Sequence, residues 1–458
     1  MTKHIYHFNM HSEKKYFLGK EHINNYDLIG LNGNIVAHSP NAIAALISTT
    51  AKKYFIDPQT HIFQHDPHLL ESNSRKPGEE DQIKYKTSVV KLAERHLGMP
   101  FYNVLQTNSR LSPESFKTES GDLENDLISE SCDRVLDFQK SFIGNNLDEE
   151  ERDLLGKDLP HPDFLIAPYF YISRSNTKEW LEINEAFYKA AKISQPNEQV
   201  FYALVVSKDA MDSFQDRIIE SLKGLNLDGI LLWIDGHQEE DLTSSQVECY
   251  IKLLKNLKSL GAPIYNSHAG YLSILLSHPA LNLLQGLGHS MNYGEHRTVV
   301  PVGGGIPQAY FYLRKNHSRN KYVNAFNILS GKGWYGSVEE YLKNVCNCHK
   351  CQELIRLKGS AIEAFISYGE TGEPTTIRRR NGTVVRISYP TGEAKDIAVR
   401  HYVNNKDLEF NSLNTKSFSE LNDELKDVYN DLLKVADIKV IQHLDIWNAS
   451  LTKLAEGR

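Results

Sequence analysis

Asp228-Gly229-Ile230-Leu231-Leu232-Trp233-Ile234-Asp235 is the stretch on which the fold turns. Its apolar run has no polar alternation, so it predicts a strand buried on both faces, the habit of parallel sheets covered by helices. Residues 244 to 260 then place Val247, Tyr250, Leu254 and Leu257 on one helical face and stop at Gly261 ahead of Pro263. Another buried strand, Pro263-Ile264-Tyr265-Asn266, follows. The alternation also extends upstream. Val200-Phe201-Tyr202-Ala203-Leu204-Val205-Val206 reads as a strand, and so does the run from Phe164 to Ile172. The helices after them carry Trp180, Ile183, Phe187 and Ala191, and Met211, Phe214, Ile218 and Leu222, each set on one face.

Nearer the start, Ser39-Pro40 opens a helix continuing from Ala42 to Lys53. Tyr54-Phe55-Ile56-Asp57-Pro58 is then the first expected strand, and Ala280 to Leu287 the sixth. Residues 79 to 97 and 128 to 143 are expected to be helical. Six or more such units without a Gly-x-Gly-x-x-Gly opening predict an α/β fold of the (β/α)8 TIM-barrel type, not a dinucleotide-binding sheet. The carboxyl ends of barrel strands form the active-site face, where Asp57, Tyr169, Asp235, His268 and His289 are expected to gather.

The pattern changes after residue 331. The expected organisation is a barrel over 1–330, closed irregularly by 300 to 320, a zinc-binding subdomain over 331–410, and C-terminal helices over 411–458. Thr376-Ile377-Arg378-Arg379-Arg380-Asn381-Gly382-Thr383-Val384-Val385-Arg386-Ile387 predicts a basic hairpin turning at Asn-Gly inside that subdomain. Three of the five cysteines fall in Cys346-Asn347-Cys348-His349-Lys350-Cys351. Three thiolates this close face one point when a soft divalent ion sits there, so the expected cofactor is a structural Zn2+. No cysteine remains downstream to complete the set. His401 is the preferred fourth ligand, with His349 the weaker alternative.

The 458 residues are 40% apolar and 24% charged, an ordinary globular balance, and the net charge of −7 opposes bulk nucleic-acid affinity without excluding a local basic patch. Cys132 and Cys249 stand alone, so no disulfide framework is expected and the compartment should be reducing. Residues 1 to 9 lack a signal-peptide core and no apolar run spans a bilayer, so a cytoplasmic protein without membrane contact is expected.

A barrel followed by CxCxxC and a later histidine resembles the tRNA-guanine transglycosylase superfamily, over roughly residues 50 to 410. Asn292-Tyr293-Gly294-Glu295 through Pro301-Val302-Gly303-Gly304-Gly305, then Tyr310-Phe311-Tyr312-Leu313 with His317 and Arg319, look more like its DNA-modifying DpdA branch. The resemblance implies an enzyme exchanging guanine in DNA for a 7-deazaguanine base such as preQ0 through a covalent aspartyl-sugar intermediate. It also hints at a partner ATPase. The implied chemistry needs two carboxylates, for which Asp57 and Asp235 are the best pair. Tyr169, Tyr171 and His268 would meet the base, and Gly303, Gly304 and Gly305 would let backbone amides approach the base or a phosphate. Arg314, Lys315, Arg319, Lys321, Arg378, Arg379, Arg380 and Arg386 would meet phosphates. Two departures stand out. Asp57-Pro58-Gln59-Thr60-His61 replaces the family's Asp-Ser-Gly-Gly-Phe-Gln loop, and Leu284 to His289 lacks the late nucleophilic aspartate. An RNA-directed relative or a non-catalytic zinc-containing nucleic-acid-binding subunit therefore remain alternatives.

Overall fold

The computed structural model describes residues 2–19, 22–72, 83–292, 295–300, 308–378 and 383–457, without the side chains of Lys157 and Arg378. Eight strands form one parallel sheet: β1 (Lys3–Phe8), β2 (Leu28–Asn32), β3 (Lys53–Asp57), β4 (Leu165–Ile166), β5 (Val200–Val206), β6 (Gly229–Ile234), β7 (Ile264–Asn266) and β8 (Gly286–Ser290). Their order is β3-β2-β1-β8-β7-β6-β5-β4. The two ends approach each other through a parallel bridge between Tyr54 and Pro162 and an Asp163 N–H bond to Tyr54 O at 2.7 Å. This is a (β/α)8 TIM-type barrel, closed by a short seam between β3 and β4.

Two strands precede the one read as the first. β1 lacks the apolar signature of a buried strand because half its residues are polar, yet each polar side chain has a place. Lys3 lies inside the amino-terminal end, 2.5 Å from Asp163, which Lys53 also approaches at 2.6 Å. His4 turns outward and bonds Asn25 O at 2.9 Å. His7 stands at the opposite end of the strand. β2 is a short run whose last residue, Asn32, caps the following turn by accepting the Asn34 N–H at 3.0 Å.

β5 and β6 are buried at every position, as the unbroken apolar runs require. β8 begins six residues later than expected, at Gly286. Its glycines make room: a Cβ at Gly286 would lie 2.5 Å from the Tyr265 ring, and one at Gly288 2.5 Å from His7 Nε2. The barrel interior stacks Phe164 on Phe201 at 3.8 Å and on Phe55 at 4.7 Å. Each fully buried ring of this kind contributes about 1.5–3 kcal/mol.

Two compact units emerge, both built from discontinuous segments. The first comprises Met1–His237, Cys249–Ala269 and Leu281–Gly303 and contains the barrel strands. The second comprises Gln238–Glu248, Gly270–Ala280 and Gly304–Arg458. Buried Glu239 ties the second unit's segments together. Its carboxylate accepts the Gly270 N–H at 2.9 Å and the Ser273 hydroxyl at 2.5 Å, and its carbonyl accepts Trp447 Nε1–H at 3.3 Å. Of the stretch expected to close the barrel, 300 to 320, residues 301–307 lie outside the described residues, and the part from 308 forms a hairpin of this unit, β9 (Tyr310–Leu313) with β10 (Ser318–Lys321). The basic hairpin exists as β11 (Thr375–Arg378) and β12 (Val384–Ile387), pairing Thr376 with Arg386. Long helices, Gly392–Thr415, Phe418–Leu432 and Ile438–Ala455, fill the C-terminal part. Among the described residues, no helix is long and apolar enough to cross a membrane.

Candidate active site and metal centre

β4 explains how the barrel mouth is built. A strand from Phe164 to Ile172 was expected, but regular pairing covers only Leu165–Ile166 and resumes with Ile172 N–H bonding Val205 O at 2.9 Å. Pro168 has no N–H to continue the ladder. The next three residues find side chains instead. Thr60 Oγ1 accepts the Tyr169 N–H at 2.8 Å and donates to Tyr169 O at 2.6 Å. The Asn184 amide bonds Phe170 N–H at 2.7 Å and Phe170 O at 2.9 Å. The Gln64 amide does the same for Tyr171, at 2.6 and 3.3 Å.

Lifted from the ladder, this segment sends two phenols to two carboxylates. Tyr169 Oη–H donates to Asp57 Oδ1 at 2.6 Å and Tyr171 Oη–H to Asp235 Oδ2 at 2.9 Å. Asp57 ends β3 and Asp235 directly follows β6. Both continue an inward-facing row, Phe55 then Asp57 and Trp233 then Asp235. The two aspartates therefore share the carboxyl-terminal mouth, as the sequence suggests. Replacing Asn184 with Leu should test the brace. It strips both partners from the buried Phe170 backbone, and unfolding free energy measured in denaturant should fall by about 2–5 kcal/mol.

The two carboxylates are held differently. Asp57 Oδ1 accepts both the Tyr169 hydroxyl and the Gln59 N–H, the latter at 2.9 Å. Burial raises its pKa above the usual carboxylate value, and those hydrogen bonds with the Arg297 charge offset only part of the rise. Asp235 accepts one bond on each oxygen, from Tyr171 and from the Val299 N–H at 2.8 Å. Around them stand His7, His61, His65 and His268. Burial pushes His7 and His65 down to about 4 and His61 and His268 well below the ordinary histidine value, so all four are neutral at pH 7. His7 Nε2–H donates to Ser267 O at 2.6 Å, which leaves Nδ1 as the acceptor.

Several sequence assignments change here. Tyr169 is a hydrogen-bond partner of Asp57 stacked on His61, with ring centroids 5.2 Å apart, instead of an open platform for a base. His268 lies at the mouth, 5.0 Å from the Trp233 ring. His289 does not face the mouth; it turns outward against His4 at 5.1 Å. Its neighbour Gly288 takes the inward place beside His7. Gly303, Gly304 and Gly305 lie outside the described residues, as do Arg379 and Arg380, while Arg378 is described only as the last residue of β11. Arg314, Arg319 and Arg386 belong to the second unit. Arg386 is exposed, whereas Arg319 lays its guanidinium 3.6 Å from the Tyr402 ring centroid, a packing contact that occupies it. Reading β1 as a strand would have placed His7 inward with Ile5. Nothing in the pattern around Arg297 marks it.

In the second unit, Cys346, Cys348, Cys351 and His401 are buried, and their ligand atoms all lie within 4.8 Å of one another. This is a group able to hold a metal ion. His349, the alternative ligand, is exposed at the start of helix His349–Lys358. The knuckle turns because backbone N–H groups point at sulfur: Cys348 N to Cys346 Sγ at 3.3 Å and Cys351 N to Cys348 Sγ at 3.5 Å. Asn405 Nδ2–H reaches Cys346 Sγ at 3.3 Å and the Tyr368 hydroxyl reaches Cys351 Sγ at 3.2 Å. His401 Nε2–H donates to Tyr312 O at 2.7 Å, which turns Nδ1 toward the sulfurs. Such outer bonds neutralise and orient thiolates, so the residues fit a metal ion.

No family model matches this chain, and no curated protein matches it. Solved structures similar to it include the intracellular xylanase TsXylA of Thermoanaerobacterium saccharolyticum JW/SL-YS485, with 11% identity over 66% of this chain and 89% of that one, at a TM-score of 0.32. A GH10 xylanase with a bacterial Ig-like domain from termite gut has 10% identity over 65% and 70%, also at 0.32. A GH39 β-xylosidase from Caulobacter crescentus has 13% identity over 60% and 64%, at 0.28. Likeness this distant assigns no substrate. Those structures are named as xylanases and a β-xylosidase, none as a base-exchange enzyme. The expectation of guanine exchange in DNA is corrected by the chain itself, which departs from the pattern that suggested it: Asp57 ends the third strand instead of the first, and β8, Gly286-Leu287-Gly288-His289-Ser290, carries no carboxylate.

Proposed function

We propose that this protein is a glycosidase, cleaving a glycosidic bond between the carboxyl groups of Asp57 and Asp235. The observation that carries this reading is the pair itself: two aspartates at one barrel mouth, each bound by a tyrosine of the same braced segment. Asp57, raised by burial, is the general acid. Its Oδ1 is engaged by Tyr169 and Gln59, so the proton to be given sits on Oδ2 and passes to the leaving atom of the aglycone. Asp235, held as an acceptor on both oxygens, supplies the negative charge facing the anomeric carbon, either attacking it or activating water. If Asp235 attacks, water then displaces it from the sugar carbon and gives its proton to Asp57. If Asp235 activates water, Asp235 takes that proton and the two carboxyl groups reset through solvent. In both cases the net reaction is hydrolysis. The carboxyl separation decides whether configuration is retained or inverted, and proton NMR of the first-formed sugar reads the outcome.

A panel of O-aryl and N-linked glycosides tests the reading. Release of the aglycone by the wild-type chain, lost in Asp235→Asn on every member and in Asp57→Asn on members with poor leaving groups, supports it. No release from any member, full activity of Asp235→Asn, or full activity of Asp57→Asn on a poor leaving group overturns it. Tyr169→Phe gives a subtler check. The phenol lowers the Asp57 pKa, so its removal raises that pKa further. The general acid works while protonated, so the alkaline limb of the pH–rate profile should move to higher pH in this variant.

We further propose that Cys346, Cys348, Cys351 and His401 hold one structural Zn2+. Three thiolates and an imidazole suit zinc, and four protein ligands leave no coordination position for substrate. The ion would supply cross-linking between the knuckle and helix Gly392–Thr415, and no catalytic step. Kinship with the tRNA-guanine transglycosylase superfamily is kept as a proposal about the scaffold, supported by the barrel and this ligand set, without its exchange reaction.

A further inference from the structure

Arg297 is held at the mouth by its backbone. Its carbonyl accepts Trp233 Nε1–H at 3.0 Å and Gly236 N–H at 3.1 Å, and two residues later the Val299 N–H binds Asp235. The side chain is half-buried, 5.8 Å from the Trp233 ring centroid, and Nη1 makes a long 3.4 Å bond to Asn9 Oδ1. That neutral contact uses one of five guanidinium N–H donors. Among the described residues no carboxylate lies within ion-pair distance of it. Its charge nevertheless acts on His7 of β1, Asp57 of β3, His61 of the following turn, Tyr169 after β4 and His268 after β7. Trp233, on the inward row of β6, and the bond from Val299 N–H to Asp235 place Arg297 at the mouth. The four histidines there are neutral, so Arg297 alone among these residues offers a full positive charge to a ligand. A guanidinium presents its donors in a planar fork that matches a carboxylate or a phosphate.

Resting on the glycosidase reading, we propose that the substrate carries an anionic group, a carboxylate or a phosphate, beside the scissile bond, and that Arg297 binds it. Arg297 is then the residue that sets specificity at this mouth. The carboxylate source would be a uronic acid ring and the phosphate source a phosphorylated sugar.

The test uses the full chain with matched aryl glycosides: neutral, uronic and phosphorylated. Wild type should favour one anionic member over the neutral one by about 10- to 100-fold in kcat/KM, mostly through KM. The favoured member identifies the source. Arg297→Met should erase the preference: kcat/KM should fall about 10- to 100-fold more on the favoured anionic substrate than on the neutral one, whose change reports only the charge lost beside Asp57, and Arg297→Lys should restore part of the preference. Equal losses on neutral and anionic substrates in Arg297→Met, or a wild-type preference for the neutral one, would overturn the assignment. If wild type cleaves none, the glycosidase reading fails and calorimetry decides this one separately. Glucuronate or glucose 6-phosphate binding more tightly than glucose to wild type, but not to Arg297→Met, supports the anion site, and equal binding in both proteins refutes it. The carbonyl anchor of residue 297 survives substitution, and a thermal melt checks that the variant folds.

Discussion

On substrates with poor leaving groups, Asp57→Asn should lower kcat by about 100- to 10,000-fold while leaving the protein folded, the range expected for losing a positioned proton donor. The asparagine carbonyl can still accept from the Tyr169 hydroxyl and the Gln59 N–H, so the braced segment keeps its geometry. What disappears is the proton on Oδ2. The pH dependence carries the sign. Burial holds the Asp57 pKa up, the acid form is the working form, and wild-type activity should fall as pH rises through that pKa. The variant should lack that alkaline limb altogether. Asp235→Asn should cost at least as much, and for a different reason. Each Asp235 oxygen accepts a hydrogen bond, so an amide nitrogen must face either the Tyr171 hydroxyl or the Val299 N–H. The variant thus loses the negative charge and misaligns its neighbours. Initial rates and melting curves for both proteins separate the chemical loss from any structural one.

Under the zinc proposal, Cys348→Ser should abolish metal binding and unfold much of the second unit. Structural zinc contributes about 10–16 kcal/mol of apparent binding free energy in small zinc-dependent modules. Larger units share that dependence with their own core, so a loss of several kcal/mol is expected here. Cys348 is at once a proposed ligand, the acceptor of the Cys351 N–H and the cap of helix His349–Lys358. Elemental analysis should find one zinc per wild-type chain and less in the variant. A strong chelator should lower the wild-type melting temperature, and added zinc should restore it. Protein that carries no metal as purified and melts identically with and without chelator would refute the assignment.

The parts of this molecule that were legible in its sequence are those where one physical requirement dominates. β5 and β6 are buried on both faces, so their composition is uniform and their limits were readable to within a residue or two. The cysteine knuckle was legible because thiol spacing is a local constraint, and His401 followed from the need for a fourth ligand. Asp57 and Asp235 were legible because each ends an apolar run. β1 was not, because a barrel's first strand can place lysine and histidine inward at its two ends, where a charge partner and the mouth receive them. The short pairing of β4 was equally hidden. Phe164 to Ile172 reads as a strand, but Thr60, Gln64 and Asn184, distant in sequence, take over its hydrogen bonds. Arg297 has no sequence signal, since its place depends on a carbonyl pinned by Trp233 and Gly236.

Leaving-group dependence in Asp57→Asn tests the central claim most directly. Protonation matters most when the departing group is a poor one, so the variant should cleave a dinitrophenyl glycoside at nearly the wild-type rate and an alkyl or unactivated phenyl glycoside hundreds of times more slowly, on the order of the full general-acid contribution. An equal loss across leaving groups would show that Asp57 delivers no proton to the departing atom, and the two-carboxylate account of this barrel would fall.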